Sequence, residues 1–214
     1  MQVKQTSRRK TKEMIFGALI NNPPSPLVIG NESIQRVTSF KLLGVHLTNK
    51  LQWDCHVNAI CSKTSSRLYF LKQLKRSGLP THDLLYFYLS TIRPVLEYAC
   101  VLWHHGLTKW QSDQIEAIQK RALRIVSNVV HGMQYTLFTR SCFDLPSLHQ
   151  RREDMSRDFF QQICQPDNCL HHLLPPPRNT EYIGHLRHPS KYPRPLTRTK
   201  RYCSFIQHAL SHYQ

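Results

Sequence analysis

"SFKLLGVHLTNKLQWDCHVNAI", Ser39 to Ile60, is where the chain changes its structural period. Ser39 to Leu47 form an apolar stretch with a glycine at position 44. Side chains of an extended strand alternate between its faces. One continuous strand therefore puts Lys41, Leu43, Val45 and Leu47 on one side and Phe40, Leu42, Gly44 and His46 on the other. Both faces are largely apolar, and a glycine inside such a strand marks a bulge or a close backbone approach by a ligand. Past Lys50 the spacing turns helical. Between Trp53 and Lys75, the residues Val57, Ile60, Cys61, Thr64, Leu68 and Leu71 recur at three- and four-residue steps. Ser77-Gly78 ends this helix and Pro80 blocks its continuation.

Upstream, the first ten residues are polar and basic, and "TKEMIF" (Thr11 to Phe16) has the look of a short strand. "NNPPSP" (Asn21 to Pro26) breaks regular structure. "LVIGNESIQRV" (Leu27 to Val37) predicts two short strands about a Gly-Asn turn. Downstream, Thr81 can cap a second helix, with Asp83 favourable in its first turn and Leu84, Leu85, Tyr88, Leu89, Ile92, Val95 and Leu96 along it. Pro94 must kink or split it, having no amide proton.

Thr108 and Gln111 make a capping-box pair for a third helix. There Trp110, Ile118, Ala122, Ile125 and Val126 share one face while Lys120 and Arg124 take the other. A less regular stretch runs from Ser127 to Leu145. Pro146 then suits the first position of a fourth helix bearing Leu148, Arg152, Met155, Phe159 and Ile163. After Gln165, prolines and basic residues crowd together in an extended tail, and "YCSFIQHAL" (Tyr202 to Leu210) is a short apolar segment able to dock back. The fold class expected is α+β, mostly α: a small antiparallel hairpin region, a helical bundle and a Pro/Arg-rich tail. The expected boundaries are 1–10, 11–50, 51–165 and 166–214.

Lys and Arg number 29 against 13 acidic residues, a formal charge of +16 over 214 residues. So large a surplus argues for a polyanionic partner, DNA or RNA. The candidate backbone contacts are Lys63 and Arg67, one turn apart on the first helix, then Lys72, Lys75 and Arg76 at its end, and Lys120 and Arg124 on the third. For any one of them a solvated helix face is the plainer alternative.

Motifs for chemistry are absent. The sequence has no Gly-rich phosphate loop, no G-x-S-x-G, no H-E-x-x-H, no H-x-D and no pair of adjacent aspartates. No cofactor and no enzymatic activity are therefore expected. Cys164, Cys169, His171 and His172 are close together, but at no familiar zinc spacing. His104-His105 point apart if helical, which favours a core or loop role. Seven scattered cysteines, no apolar leader and no membrane-length run suggest an intracellular, reduced protein with mostly buried thiols. The weak basic cluster "SRRKTK" (Ser7 to Lys12) leaves nucleus or cytoplasm open.

"FKLLGVHLTNKLQWDCHVNAICSKTSSRLYFLKQLKR" resembles the segment after the catalytic palm in reverse transcriptases of non-LTR (LINE-type) retrotransposons. Leu43, Gly44, Val45, Trp53, His56, Val57 and Lys63 carry the likeness, and "FYLSTIRPVLEYACVLWHHGLT", "IEAIQKRALRIV" and the tail extend it over nearly the whole chain. The resemblance implies a primer-grip-like strand at Leu42, Leu43, Gly44 and Val45, followed by a thumb-like helical bundle on an RNA–DNA duplex. In that family the catalytic aspartates of the RNA-directed DNA polymerase stand upstream of the position of Lys10. The implied state is a truncated, non-catalytic fragment of a transposable element, at most a nucleic-acid-binding module. Ser7 stands where the family has Asn. The "KTKEM" strand and the hairpin after it also resemble a domain labelled as the N-terminal part of AlkB homologue eight, an alkylated-nucleic-acid repair protein. Further alternatives are a polymerase subunit completed by another chain, and a translated relic without function.

Overall fold

A computed structural model describes residues 11–127, 143–179, 190–194 and 204–214. Residues 1–10, most of the irregular stretch after Ser127 and most of the tail arginines lie outside the described residues. The chain divides into two compact units, Met1–His56 and Val57–Gln214. The architecture is α+β and mostly α: short strands come first and helices follow.

The first unit holds six short strands: β1 Lys12–Glu13, β2 Val28–Ile29, β3 Glu32–Ser33, β4 Gln35–Arg36, β5 Ser39–Leu42 and β6 Val45–Thr48. β2 and β3 form the hairpin expected around Gly30-Asn31. β1 pairs with β4 in parallel rather than in a hairpin, and Arg36 fastens the pair by donating to Glu13 at 3.1 and 3.3 Å.

The stretch from Ser39 to Thr48 is not one strand. β5 and β6 pair antiparallel, with Leu42 opposite Val45, Lys41 opposite His46, Phe40 opposite Leu47 and Ser39 opposite Thr48. Leu43 (φ 46) and Gly44 (φ 88) make the two-residue connection. Two successive positive φ values are the geometry whose twist matches the flanking strands. Gly44 thus serves a turn, not a bulge, and this overturns the face assignment. A two-residue turn reverses the chain, so Phe40, Leu42, Val45 and Leu47 share one face, and Lys41 and His46 the other. Of these, Val45 is buried while Phe40 and Leu42 stay exposed. Phe16, Leu19, Leu27, Val28, Ile29 and Leu43 are exposed as well, so among its described residues this unit presents an apolar surface.

The helix α1 (Asp54–Arg76) buries Val57, Ile60, Thr64, Leu68 and Leu71, the stripe that the spacing requires. It ends at Gly78, whose φ of 85 lets the backbone bond back from Leu79 N–H to the Leu74 carbonyl at 3.3 Å. α2 (Thr81–Phe87) starts one residue earlier than expected. Pro80 is its cap, accepting from Asp83 and Leu84 N–H at 3.1 and 3.2 Å, and Thr81 lies inside the helix. The helix is broken before Pro94, as its missing amide proton predicts. A π-helical segment, Tyr88–Ile92, leads into α3 (Arg93–Glu97) with Pro94 in its first turn. The wider π turn makes room for a ring that would meet the carbonyl four residues back. Ala99, at φ 51, then turns the chain into α4 (Cys100–Trp103).

α5 (Lys109–Ser127) has the expected capping box. Thr108 N–H donates to Gln111 Oε1 at 2.8 Å, and Gln111 N–H to Thr108 Oγ1 at 3.2 Å. It buries Ile115, Ile118, Ala122, Leu123 and Val126. Trp110 falls off this face and is 62 % exposed. In α6 (Leu148–Ile163) the cap is Ser147, accepting from Gln150 N–H at 3.0 Å, so Pro146 precedes the helix instead of opening it.

α7 (Phe205–His212) docks back as the apolar "SFIQHAL" implies. Ala209 and Leu210 join Phe160 and Tyr192 in one buried cluster, and Ser204 with Gln207 forms its capping box. The core of this unit runs between α2, α5 and α6, around Trp103, Tyr88, Leu84, Ile115, Leu123 and Leu148. Tyr88 Oη donates to Gln119 at 2.6 Å, and Gln119 Nε2 to the Pro146 carbonyl at 3.1 Å. The thiols are less buried than expected: Cys100 is buried, Cys61 and Cys164 half-buried, and Cys55 and Cys169 exposed.

Candidate nucleic-acid interface

The seven basic candidates separate into two groups. Lys63, Lys72 and Arg76 on α1, and Lys120 and Arg124 on α5, have exposed side chains. Arg67 and Lys75 turn inward. The Arg67 guanidinium donates to the Thr91 carbonyl in the π-helical segment. Lys75 Nζ donates to the Ile125 carbonyl, in the last turn of α5, where a cation also meets the negative end of the helix dipole. Burial there pulls the Lys75 ammonium below its usual range. These two residues, expected as backbone contacts, fasten α1 to its neighbours.

Three long basic runs of the sequence lack acid: 117–143, 182–214 and the one that holds most of α1. From Cys55 to His82 the sequence contains no Asp or Glu. The exposed arc of α1 has Lys72 and Arg76 along one edge with Asn58 and Ser65, Ser62 and Ser66 near its middle, and Lys63 at the other edge, nine residues and so about half a turn round the helix from Lys72. Tyr69 and Phe70 lie on this arc too, each 58 % exposed, and both escape a reading of charge alone. Their signal was present: neither belongs to the stripe of Val57, Ile60, Thr64, Leu68 and Leu71. On α5, by contrast, Lys120 and Arg124 share the helix with Asp113 and Glu116.

The primer-grip-like residues sit at the end of the β5–β6 hairpin. Leu43 is 84 % exposed at φ 46, a conformation that disfavours a branched apolar side chain. Gly44 supplies the second turn position, Leu42 is exposed, and Val45 is buried. Behind them, His46 N–H donates to His56 Nδ1 at 3.4 Å. Burial holds the His56 imidazole down to about 4, helped by the nearby His46.

A second polar group lies inside the helical unit. Arg152 is fully buried, as its place in the helical spacing of α6 requires, despite its charge. Its Nε–H points at His104 Nδ1 at 3.4 Å and its Nη2 donates to Ser112 Oγ at 3.1 Å. Its guanidinium lies 5.8 Å from the Trp103 ring centroid. His104 Nε2 meets Glu153 Oε2 at 3.0 Å. Nδ1 accepting and Nε2 donating describes a neutral ring, and burial, seconded by Arg152, lowers its pKa to about 4 against the pull of Glu153. Glu97 receives the Arg151 guanidinium and stands 3.8 Å from Arg93. This cluster ties α3, α4, α5 and α6 together, with Arg151 and Glu153 half-buried at its edge.

No group of three or more His, Cys, Asp or Glu side chains is placed to hold a metal ion among the described residues. At the Cys164–His172 cluster, His171 Nδ1 is 3.0 Å from the Ile163 carbonyl and His172 Nδ1 is 2.7 Å from that of Cys169. Burial raises the Cys164 thiol pKa. No helix among the described residues is long and apolar enough to cross a membrane.

One family model matches, described as alkylated DNA repair protein alkB homolog 8, N-terminal, over residues 53–93. The likeness therefore falls on α1, α2 and the π-helical segment, and not on the N-terminal strands where the residues had suggested it. It covers well under half of the chain. No curated protein and no solved structure matches. Residues 53–93, the stretch bearing α1, are similar to that family's N-terminal domain.

Proposed function

We propose that the chain is a non-catalytic nucleic-acid-binding module. It holds a phosphate backbone on the exposed face of α1, in the manner of the thumb of a non-LTR retrotransposon reverse transcriptase. The observation that carries this reading is the acid-free run from Cys55 to His82, with Lys63, Lys72 and Arg76 exposed along it. A helix surface with cations and hydroxyls and without carboxylates after its first residue attracts phosphates and reads no sequence. Polymerase chemistry needs paired carboxylates for magnesium, and the sequence has no adjacent aspartates. The apolar strands of the first unit are in keeping with a partner domain such as the palm.

The family match supports a second reading, a nucleic-acid-binding domain of a DNA-repair protein. Both readings use the same helix. They part on the ligand, an RNA–DNA duplex for the first and DNA for the second, and on iron dependence of any activity.

Binding of a labelled RNA–DNA duplex across a salt series tests the proposal. Replacing Lys63, Lys72 and Arg76 by Ala should flatten the slope of log K against log salt by about 2–3, since each phosphate contact contributes about 0.7–0.9. Arg67→Ala should lower stability and leave the slope intact. An unchanged slope in the triple variant, or no binding at low salt, would sink the proposal.

A further inference from the structure

We propose that the exposed face of α1 takes single-stranded nucleic acid, its unpaired bases stacking on Tyr69 and Phe70. This deepens the backbone-binding reading and rests on it. Both rings are more than half exposed in the middle of α1. They meet edge to face, centroids 5.8 Å apart and planes 72° apart.

Residues three, four and seven positions apart share a helix face. Tyr69 is therefore grouped with Ser65, Ser66 and Lys72, and Phe70 with Ser66 and Lys63. Each ring is flanked by a cation and a hydroxyl residue. The nearest carboxylates in sequence are Asp54 and Asp83, outside the patch.

Phosphate contacts alone give two aromatic rings no role. Polar side chains would hold a backbone equally well without leaving apolar surface in water. A base, however, offers a π face, and stacking on an aromatic side chain is worth about 1–3 kcal/mol whatever the base. The wide angle between the rings suits the ligand further. In a duplex the bases lie parallel and cover one another, so two rings in different planes find no faces. In a single strand crossing the exposed arc the bases can splay, one to each ring, while Lys72 beside Tyr69 and Lys63 beside Phe70, at opposite edges of that arc, take phosphates on either side. An apolar protein groove is the competing occupant, and the positive, acid-free surround disfavours it unless that groove is acidic.

The test compares a short labelled oligouridylate with a blunt RNA–DNA duplex, using the full chain and two double variants. One replaces Tyr69 and Phe70 by Ala. The other replaces both by Leu, which keeps apolar bulk and helix propensity but removes the rings. Both variants should weaken oligouridylate binding about tenfold or more, with the salt slope and the duplex affinity unchanged. Leu variants that retain oligouridylate affinity would overturn the proposal, as would equal losses on both ligands. If duplex binding persists with its salt slope while the ring variants bind oligouridylate normally, stacking falls and the backbone reading stands. If wild type binds neither ligand, both fall.

Discussion

Acid should destabilise the helical unit through His104. The ring is buried, donates from Nε2 to Glu153 and accepts at Nδ1 from Arg152. Protonation would aim an N–H at the Arg152 N–H 3.4 Å away. The folded pKa is about 4 against an ordinary value of 6.5. A depressed histidine pKa means that the unfolded chain binds the proton more readily. The stability is therefore fully present above about pH 6.5 and is lost as pH falls toward 4.

At about pH 5 the unfolded ring is mostly charged and the folded ring mostly neutral. The ratio of the two binding factors is about 30, and RT ln 30 is about 2 kcal/mol. That is a sizeable part of the roughly 5–15 kcal/mol of a typical domain. Urea denaturation followed by far-UV circular dichroism at about pH 8, 6 and 5 measures it, on wild type and His104→Gln. The variant, which can still donate to Glu153, should be less stable at pH 8 and lose about 2 kcal/mol less than wild type on going to pH 5. Parallel pH profiles for the two proteins would refute the reasoning, because a histidine charged in the fold, or one already in water, contributes no such difference.

The hairpin turn gives a pair of opposed effects. Leu43→Asn should stabilise the first unit by about 0.5–1 kcal/mol, since Asn tolerates the positive φ that Leu43 adopts, and Gly44→Ala should destabilise it by about 1 kcal/mol. Thermal melts that move the same way for both, or not at all, would argue against the turn. Docking of α7 is tested by Leu210→Ala, which removes a side chain from the cluster of Phe160, Tyr192 and Ala209. A loss of about 2–4 kcal/mol is expected in chemical denaturation. A loss under about 0.5 kcal/mol would mean that the segment leaves the bundle before the bundle unfolds.

Helices were legible where their own residues declare them. The capping box at Thr108 and Gln111, the stop at Gly78 and the stripe from Val57 to Leu71 are local signals, and each is found in place. On α6 the spacing names Leu148, Arg152, Met155, Phe159 and Ile163, and of these Leu148, Arg152 and Ile163 are buried while Met155 and Phe159 are half-buried. The β5–β6 hairpin was illegible for a reason of parity. Leu43-Gly44 lacks the Asn-Gly or Asp-Gly signature of a two-residue turn, so nothing separated a bulged strand from a reversal, and the choice swaps which residues share a face. The inward turn of Arg67 and Lys75 was hidden differently. A long cationic side chain reaches solvent or a neighbouring carbonyl equally well, and the carbonyls of Thr91 and Ile125 come near only through tertiary packing. Tyr69 and Phe70 could have been found from the spacing, as large rings outside a stripe already complete.

Net charge is a poor locator of the interface, and the structure gives the physical reason. Arg36 is held by Glu13, Arg151 by Glu97, and Arg93 stands near Glu97. Arg152 is spent on the buried cluster with His104 and Ser112, and Arg67 and Lys75 on backbone carbonyls. On α6, Arg151, Arg152 and Arg157 alternate with Glu153, Asp154 and Asp158, so the field outside that helix largely cancels. On α5 the Glu116 carboxylate accepts from His149 N–H at 2.5 Å, a turn away from Lys120. At surface dielectric, opposite charges a few ångströms apart leave little potential beyond a Debye length of about 8–10 Å. The field persists where the negative partners are missing, as they also are over residues 117–143 and 182–214. From Cys55 to His82 they are missing, and Lys63, Lys72 and Arg76 stand on the exposed side of α1 there. What favours α1 among the described helices is that local absence of acid together with exposed cations and rings on one arc, and not the +16 carried by the whole chain.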